Sequence, residues 1–173
     1  YDNVTVINEE ILKVDIAKLA EEKNGGRPIK VVANLPYYIT SPVIMKLLEE
    51  KLPVESLTVM VQKEAAERLC AQPGTRECGA VSAAVQYYAE PEILFEVSRG
   101  SFMPAPNVDS AVIQLRIRKE PPVDVHDEVL FFRVIRAAFA QRRKTAVNSI
   151  SNTLHMSKQQ VTDAFEQAGV RAN

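Results

Sequence analysis

Residues 34–37 read Asn-Leu-Pro-Tyr and follow directly on the apolar run Ile29-Lys30-Val31-Val32-Ala33. A β-rich run that ends in a polar amide, a proline and an aromatic ring gathers three kinds of recognition at one strand end. The Asn34 amide can accept a hydrogen bond from an exocyclic amine. Pro36 fixes the turn, because its ring locks φ near about −65°. The Tyr37 ring can stack on a planar base. Chemistry on the amino group of adenine calls for that set, since the amine has to be held by acceptors while the base is gripped by its face.

A second segment, Ser101-Phe102-Met103-Pro104-Ala105-Pro106-Asn107-Val108-Asp109-Ser110, is a proline-studded loop leading into a strand. It presents one aromatic side chain, Phe102, on a stiff backbone. A flipped base needs apolar or aromatic surfaces on its faces, and the two segments together could supply both. A third segment, Arg142-Arg143-Lys144, clusters positive charge after a Phe-rich stretch that ends at Phe139.

The elements that must position these groups alternate along the first 118 residues. Val4–Asn8 reads as a short strand, Ile16–Glu22 as a helix, Ile29–Ala33 as a strand. Ser41-Pro42 reads as an N-cap with proline at the first helical position, opening a helix whose apolar face is Val43, Ile44, Leu47 and Leu48. Leu57–Val61 is a strand, and helices follow over Lys63–Ala71 and Gly79–Ala89. This order predicts an α/β fold with a mostly parallel sheet and helices on both faces. Ile93–Val97 and the alternating run Ala111, Ile113, Leu115, Ile117 then predict a closing antiparallel pair.

Lys119-Glu120-Pro121-Pro122 marks a boundary, giving residues 1–120 as one unit and 121–173 as a small all-helical one. In the second unit Phe131, Ile135, Ala138 and Phe139 form a helical stripe, Ser157 with Gln160 reads as a capping box, and Gly169 as a helix C-cap.

Composition is that of an ordinary globular chain: 46% hydrophobic, 25% charged, formal net charge −1. No apolar run is long enough to span a membrane. Cys70 and Cys78 form no CxxC, and only His126 and His155 could join them, so zinc and a disulfide scaffold are disfavoured. No metal is expected, and a reducing cytoplasm is the expected setting. The near-neutral charge does not announce a polyanion partner, so local clusters such as Arg142–Lys144 carry any nucleic-acid argument.

Three stretches together resemble the ribosomal RNA adenine dimethyltransferase family, specifically its small-subunit enzymes: Asn34-Leu35-Pro36-Tyr37-Tyr38-Ile39-Thr40-Ser41-Pro42, the Phe102–Ser110 loop with its Val-Asp-Ser ending, and Phe139-Ala140-Gln141-Arg142-Arg143-Lys144-Thr145. The resemblance runs over essentially the whole chain. It implies a Rossmann-like sheet binding S-adenosylmethionine, a helical C-terminal domain that helps hold rRNA, and N6,N6-dimethylation of adjacent adenosines in small-subunit (16S) rRNA within the pre-30S particle. It also implies that the Asn34 side chain and the Leu35 carbonyl accept the N6 protons, that Pro36 sets the turn, and that Tyr37 and Phe102 cover the two faces of the base. Glu10 stands where the family usually has an aspartate touching the cofactor's adenine, and Arg142, Arg143 and Lys144 face RNA. The full-length enzyme is expected to be a cytoplasmic monomer.

Other readings stay open at this stage. Glu10 also fits a solvated acid, Phe102 a packing anchor, and Arg142–Lys144 a cationic helix end. The whole could be a DNA N6-adenine methyltransferase, or a ribosome-assembly factor that binds RNA and methylates secondarily. No G-x-G-x-x-G occurs; Asn24-Gly25-Gly26 is a polar turn. With Tyr1 expected mid-domain and Arg171-Ala172-Asn173 before the second unit closes, the chain reads as an internal piece of a longer enzyme. Alone it is expected to bind S-adenosylmethionine barely.

Overall fold

The computed structural model describes residues 2–171; Tyr1, Ala172 and Asn173 lie outside the described part. Strands β1 (Ile29–Asn34), β2 (Val54–Gln62), β3 (Ala89–Val97) and β4 (Ser110–Ile117) form one sheet in the order β1-β2-β4-β3. β1 runs parallel to β2, and β4 lies antiparallel between β2 and β3. The expected closing antiparallel pair is therefore present. The expectation of a mostly parallel sheet is corrected, because β4 returns between two strands that run the other way and pairs with both of them antiparallel.

Alternation decides which side chains face the helices. Leu57, Val59 and Val61 of β2 and Ala111, Ile113 and Leu115 of β4 are buried. They pack against α2 (Thr40–Glu49) through Ile44, Leu47 and Leu48, against Leu69 of α3 (Lys63–Leu69), and against Val85 of α4 (Ala80–Tyr88). Ile16 of α1 (Ile16–Asn24) joins the same cluster. The opposite face carries Val32, 80% exposed, and Phe95, 57% exposed. Helices thus cover one face among the described residues, not both as expected.

Local chemistry sets the element ends. The Asp15 carboxylate accepts from the Lys18 amide at 2.9 Å and opens α1, and Gly25, at φ 59°, closes it in the left-handed region that glycine enters without steric cost. α2 begins at Thr40, not behind a Ser41 cap. Thr40 is already helical and its hydroxyl donates to the Pro36 carbonyl, so Pro42 falls in the first turn, where its missing N–H is not needed. Val4–Asn8 forms no strand: the segment finds no partner in the sheet, and β-propensity without a ladder does not make one.

Three helices follow: α5 (Glu128–Phe139), α6 (Ala146–Leu154) and α7 (Lys158–Gln167). α7 opens with the expected Ser157/Gln160 capping box. Gly169, at φ 67°, follows its C-cap Ala168. The buried residues of α5 are Phe132 and Ala137, whereas Phe139, expected in the core stripe, is 45% exposed. Phe132 turns toward α4, where it stacks on Tyr88 at 5.3 Å between ring centroids, while Ala137 faces α6 and α7 through Val147, Ile150 and Val161. Phe139 follows Phe132 by seven residues, on nearly the same side of α5, but at the last position of the helix, and it joins neither cluster. Among the described residues no helix is long and apolar enough to cross a membrane.

Candidate active site

β1 ends at Asn34 on the outward side of its alternation, opposite Met60 of β2. Proline at 36 holds Leu35 in extended backbone. The chain then enters a one-turn 3-10 helix, Tyr37–Ile39. The Pro36 carbonyl accepts from the Ile39 amide at 3.1 Å and from the Thr40 hydroxyl at 3.2 Å, which locks the turn. Among the described residues the Asn34 side chain and the Leu35 carbonyl make no hydrogen bond. Two neutral acceptors are thus left open at the strand end.

The second loop is clasped at its base. The Asp109 carboxylate accepts from the Arg99 amide at 2.9 Å, its carbonyl accepts from the Lys63 amide at 3.0 Å, and the Arg99 guanidinium donates to the Asn107 carbonyl at 3.3 Å. Next to Asp109, fully buried Ser110 shares a 3.0 Å hydrogen bond with the Tyr37 hydroxyl, which ties the two loops together.

The result is a cleft of about 360 Å³ lined by Asn34, Leu35, Pro36, Tyr37, Met60, Phe102, Pro104 and Pro106. All five residues expected to form the catalytic site meet here, Pro36 as the residue that sets the turn. Tyr37 and Phe102 line the cleft without forming a ring pair with each other, so the gap between them is not closed by their own stacking. An amide oxygen and a peptide carbonyl take N–H bonds but do not take up a proton near neutral pH. This arrangement can orient an amine and cannot act as a base.

Sequence reasoning missed three contributors. Met60 forms part of the wall because Thr58, Met60 and Gln62 share the outward side of β2, a parity readable from the alternation alone. Asp109 and Ser110 hold the loops; their spacing carried no signal that they would meet Arg99, Lys63 and Tyr37. A neighbouring cleft of about 370 Å³ includes Lys63, Glu67 and Arg99. Its charges are largely used internally: Lys63 bonds to Glu96 at 2.9 Å, and that bond with the Glu96 charge holds the ammonium above its ordinary pKa.

The other expected site residues stand apart from the base cleft. Glu10 precedes the short helix Ile11–Lys13, is exposed, and pairs with Lys13 at 2.6 Å. Lys46 of α2 donates to the Leu12 and Val14 carbonyls and so pins the segment that carries it. Arg142, Arg143 and Lys144 are exposed in the turn between α5 and α6 and form no ion pair among the described residues. Buried Ser149 fixes that turn by donating to the Ala137 carbonyl at 2.6 Å and accepting from the Gln141 amide at 3.1 Å. The last turn of α5 already holds Arg136, and the three cations lie ahead of the α6 N-terminus, where the helix dipole disfavours positive charge. Among the described residues no group of three or more His, Cys, Asp or Glu could hold a metal.

A mixed sheet with an antiparallel strand slotted before its edge, and open acceptors beside two rings at a strand end, fit a Rossmann-like methyltransferase, the class of the solved structures it resembles. The family described as ribosomal RNA adenine dimethylase matches residues 1–172, and the chain belongs to that family. It is similar to ribosomal RNA small subunit methyltransferase A of Lachnoclostridium phytofermentans, 55% identical over 99% of this chain and 60% of the relative, and of Clostridioides difficile, 49% identical over 98% and 58%. It thus spans about three fifths of the length of these relatives. Among solved structures, a dimethyladenosine transferase from Plasmodium falciparum aligns with TM-score 0.68 and 25% identity, covering 83% of this chain and 60% of that one. The 23S rRNA methyltransferase ErmE aligns with TM-score 0.60 and 25% identity, over 90% and 69%.

Proposed function

We propose that this protein is an S-adenosylmethionine-dependent enzyme that dimethylates N6 of adjacent adenosines in small-subunit rRNA during ribosome assembly. The observation that carries the reading is the cleft that joins the open acceptors of Asn34 and Leu35 to the rings of Tyr37 and Phe102. In this reading residues 1–120 belong to the catalytic domain and 121–173 to a helical domain that meets rRNA. The enzyme works as a cytoplasmic monomer on the pre-30S particle.

The residues present fit one flank of the cofactor. Asn34 offers an unbonded amide at the strand end, and Glu10 an exposed carboxylate whose second oxygen, beside the one paired with Lys13, could accept from an adenine amine. When bound, S-adenosylmethionine supplies an electrophilic methyl on a sulfonium. Asn34 Oδ1 and the Leu35 carbonyl accept the two N6–H bonds and draw the nitrogen lone pair out of conjugation with the ring. Tyr37 and Phe102 hold the base by its faces, so orientation and preorganised dipoles lower the barrier. No general base is needed, since the N6 proton turns acidic once the nitrogen gains a methyl and can leave to water. Arg142, Arg143 and Lys144 neutralise phosphates of the bound RNA.

The test uses the full-length protein with S-adenosylmethionine and unmethylated small-subunit particles, with nucleosides read by mass spectrometry. Dimethyladenosine in rRNA is expected, with none in duplex DNA offered in parallel. Methylated DNA with unmodified rRNA would overturn the substrate. An Asn34→Ala protein that still binds the particle and completes its assembly function would favour the RNA-binding factor instead.

A further inference from the structure

We propose that Tyr38 and Met103, at the rim of the base cleft, grip the nucleotide next to the target adenosine, with Tyr38 stacking on its base. The inference rests on the function proposed above and assigns that site a second RNA contact. Tyr38 is 83% exposed and Met103 is 98% exposed. Each is one residue along the chain from a residue that lines the cleft, Tyr37 in one loop and Phe102 and Pro104 in the other.

The backbone decides which tyrosine faces inward. In a 3-10 turn successive side chains are about 120° apart, so Tyr37 and Tyr38 cannot both enter the cleft. Tyr37 is committed to it by the hydrogen bond to Ser110. The Tyr38 hydroxyl has no partner among the described residues, and its ring projects from a turn that the Pro36 carbonyl pins through Ile39 and Thr40. A tyrosine on a fixed backbone offers a broad face at small entropic cost. Met103, between the cleft residues Phe102 and Pro104, offers a polarisable thioether that packs well against aromatic edges.

A partner of this chemistry is an unstacked base. Drawing one nucleotide into a pocket strips its neighbour of a stacking surface, and an aromatic ring replaces that surface whatever the neighbour's identity. Neither rim residue carries charge, and the contact is through the ring face; Tyr38→Phe separates it from a hydroxyl bond to phosphate.

The experiment takes the full-length protein and a small-subunit rRNA hairpin with 2-aminopurine beside the target adenosine. Wild-type protein is expected to quench the probe. Tyr38→Ala should relieve the quenching and raise the KM for the hairpin between about fivefold and about 150-fold, the span of one base–aromatic stack. The KM for S-adenosylmethionine should stay unchanged, and Tyr38→Phe should behave as wild type. Quenching and RNA KM unaltered in Tyr38→Ala would overturn the proposal, as would a change confined to the cofactor KM, which would seat the ring against cofactor or protein. Absence of transfer by the unaltered protein would instead remove the functional reading, and this inference with it.

Discussion

In the proposed function the base cleft and the cationic turn would meet the same RNA with opposite physics. The cleft holds its polar groups as neutral acceptors on locked backbone: Pro36, Thr40 and Asp109 each fix a turn, and Ser110 joins Tyr37 to the second loop. The turn at Arg142–Lys144 presents full charges on long, exposed side chains, and only its backbone is fixed, by Ser149. A neutral acceptor acts only where its geometry is right, so the cleft should govern turnover. Cations act over a Debye length, about 8 Å at physiological salt, so the turn should govern affinity and its salt dependence.

The largest effect expected from this contrast is in the full-length protein with Asn34 replaced by alanine. Losing one preorganised acceptor should lower kcat by about 10² to 10³. The fold should be untouched, because the side chain is exposed at a strand end. Near-normal turnover would break the assignment of the cleft to chemistry.

Phe102 sharpens the same side of the comparison. Stacking on a base is worth about 1–3 kcal/mol, so Phe102→Leu should lose more activity than Phe102→Tyr. Equal activity of the two variants would make Phe102 a packing residue that merely closes the loop.

The turn is tested by replacing Arg142, Arg143 and Lys144 with glutamine. Affinity for rRNA should fall, and the slope of log K against log salt should flatten by about 0.7 to 0.9 for each phosphate left without its cation. The KM for S-adenosylmethionine should not move. A normal salt slope would leave these residues without an RNA role.

Much of the molecule is legible in the sequence where one residue type has one dominant consequence. Proline at 36, the alternation of Ala111, Ile113 and Leu115, and the Ser157/Gln160 pair each dictate their local structure within a few residues. The base cleft is legible because its residues sit in two short segments with distinct chemistry. What is not legible depends on the third dimension. Strand order is not written in any window of residues, which is why neither the antiparallel place of β4 nor the single covered face follows from the pattern. The bond from Tyr37 to Ser110 spans 73 positions, and nothing local in either residue announces the other. Phe139 fails for a related reason: periodicity puts it on nearly the same side as Phe132, but the cluster that Phe132 joins with α4 does not reach it.

The smallest expected effect tests whether the cleft and the turn are independent. They are linked where α4 meets α5: the Tyr88 hydroxyl donates to Glu128 at 2.6 Å, and Lys51 donates to the other carboxylate oxygen at 3.1 Å. Burial, reinforced by that bond, pushes the Tyr88 phenol well above its ordinary pKa, and the same bond holds the Glu128 carboxyl below the usual range. A carboxyl with a lowered folded pKa contributes stability above its unfolded value, about 4.3, and that contribution is lost as pH falls through the folded value. A phenol with a raised pKa contributes below about pH 10 and loses its share as pH rises further. The contact should therefore hold across the neutral range and weaken in acid. Tyr88→Phe keeps the ring stack on Phe132 and removes only the hydroxyl. It should cost about 1 kcal/mol in urea unfolding at pH 7, the net worth of one hydrogen bond, and the difference from wild type should shrink below about pH 4. If the cleft and the turn act separately, kcat at saturating RNA stays at the wild-type value and only RNA affinity shifts. A fall in kcat would show that the α4–α5 contact positions the cleft as well, and the division of labour between the two regions would fail.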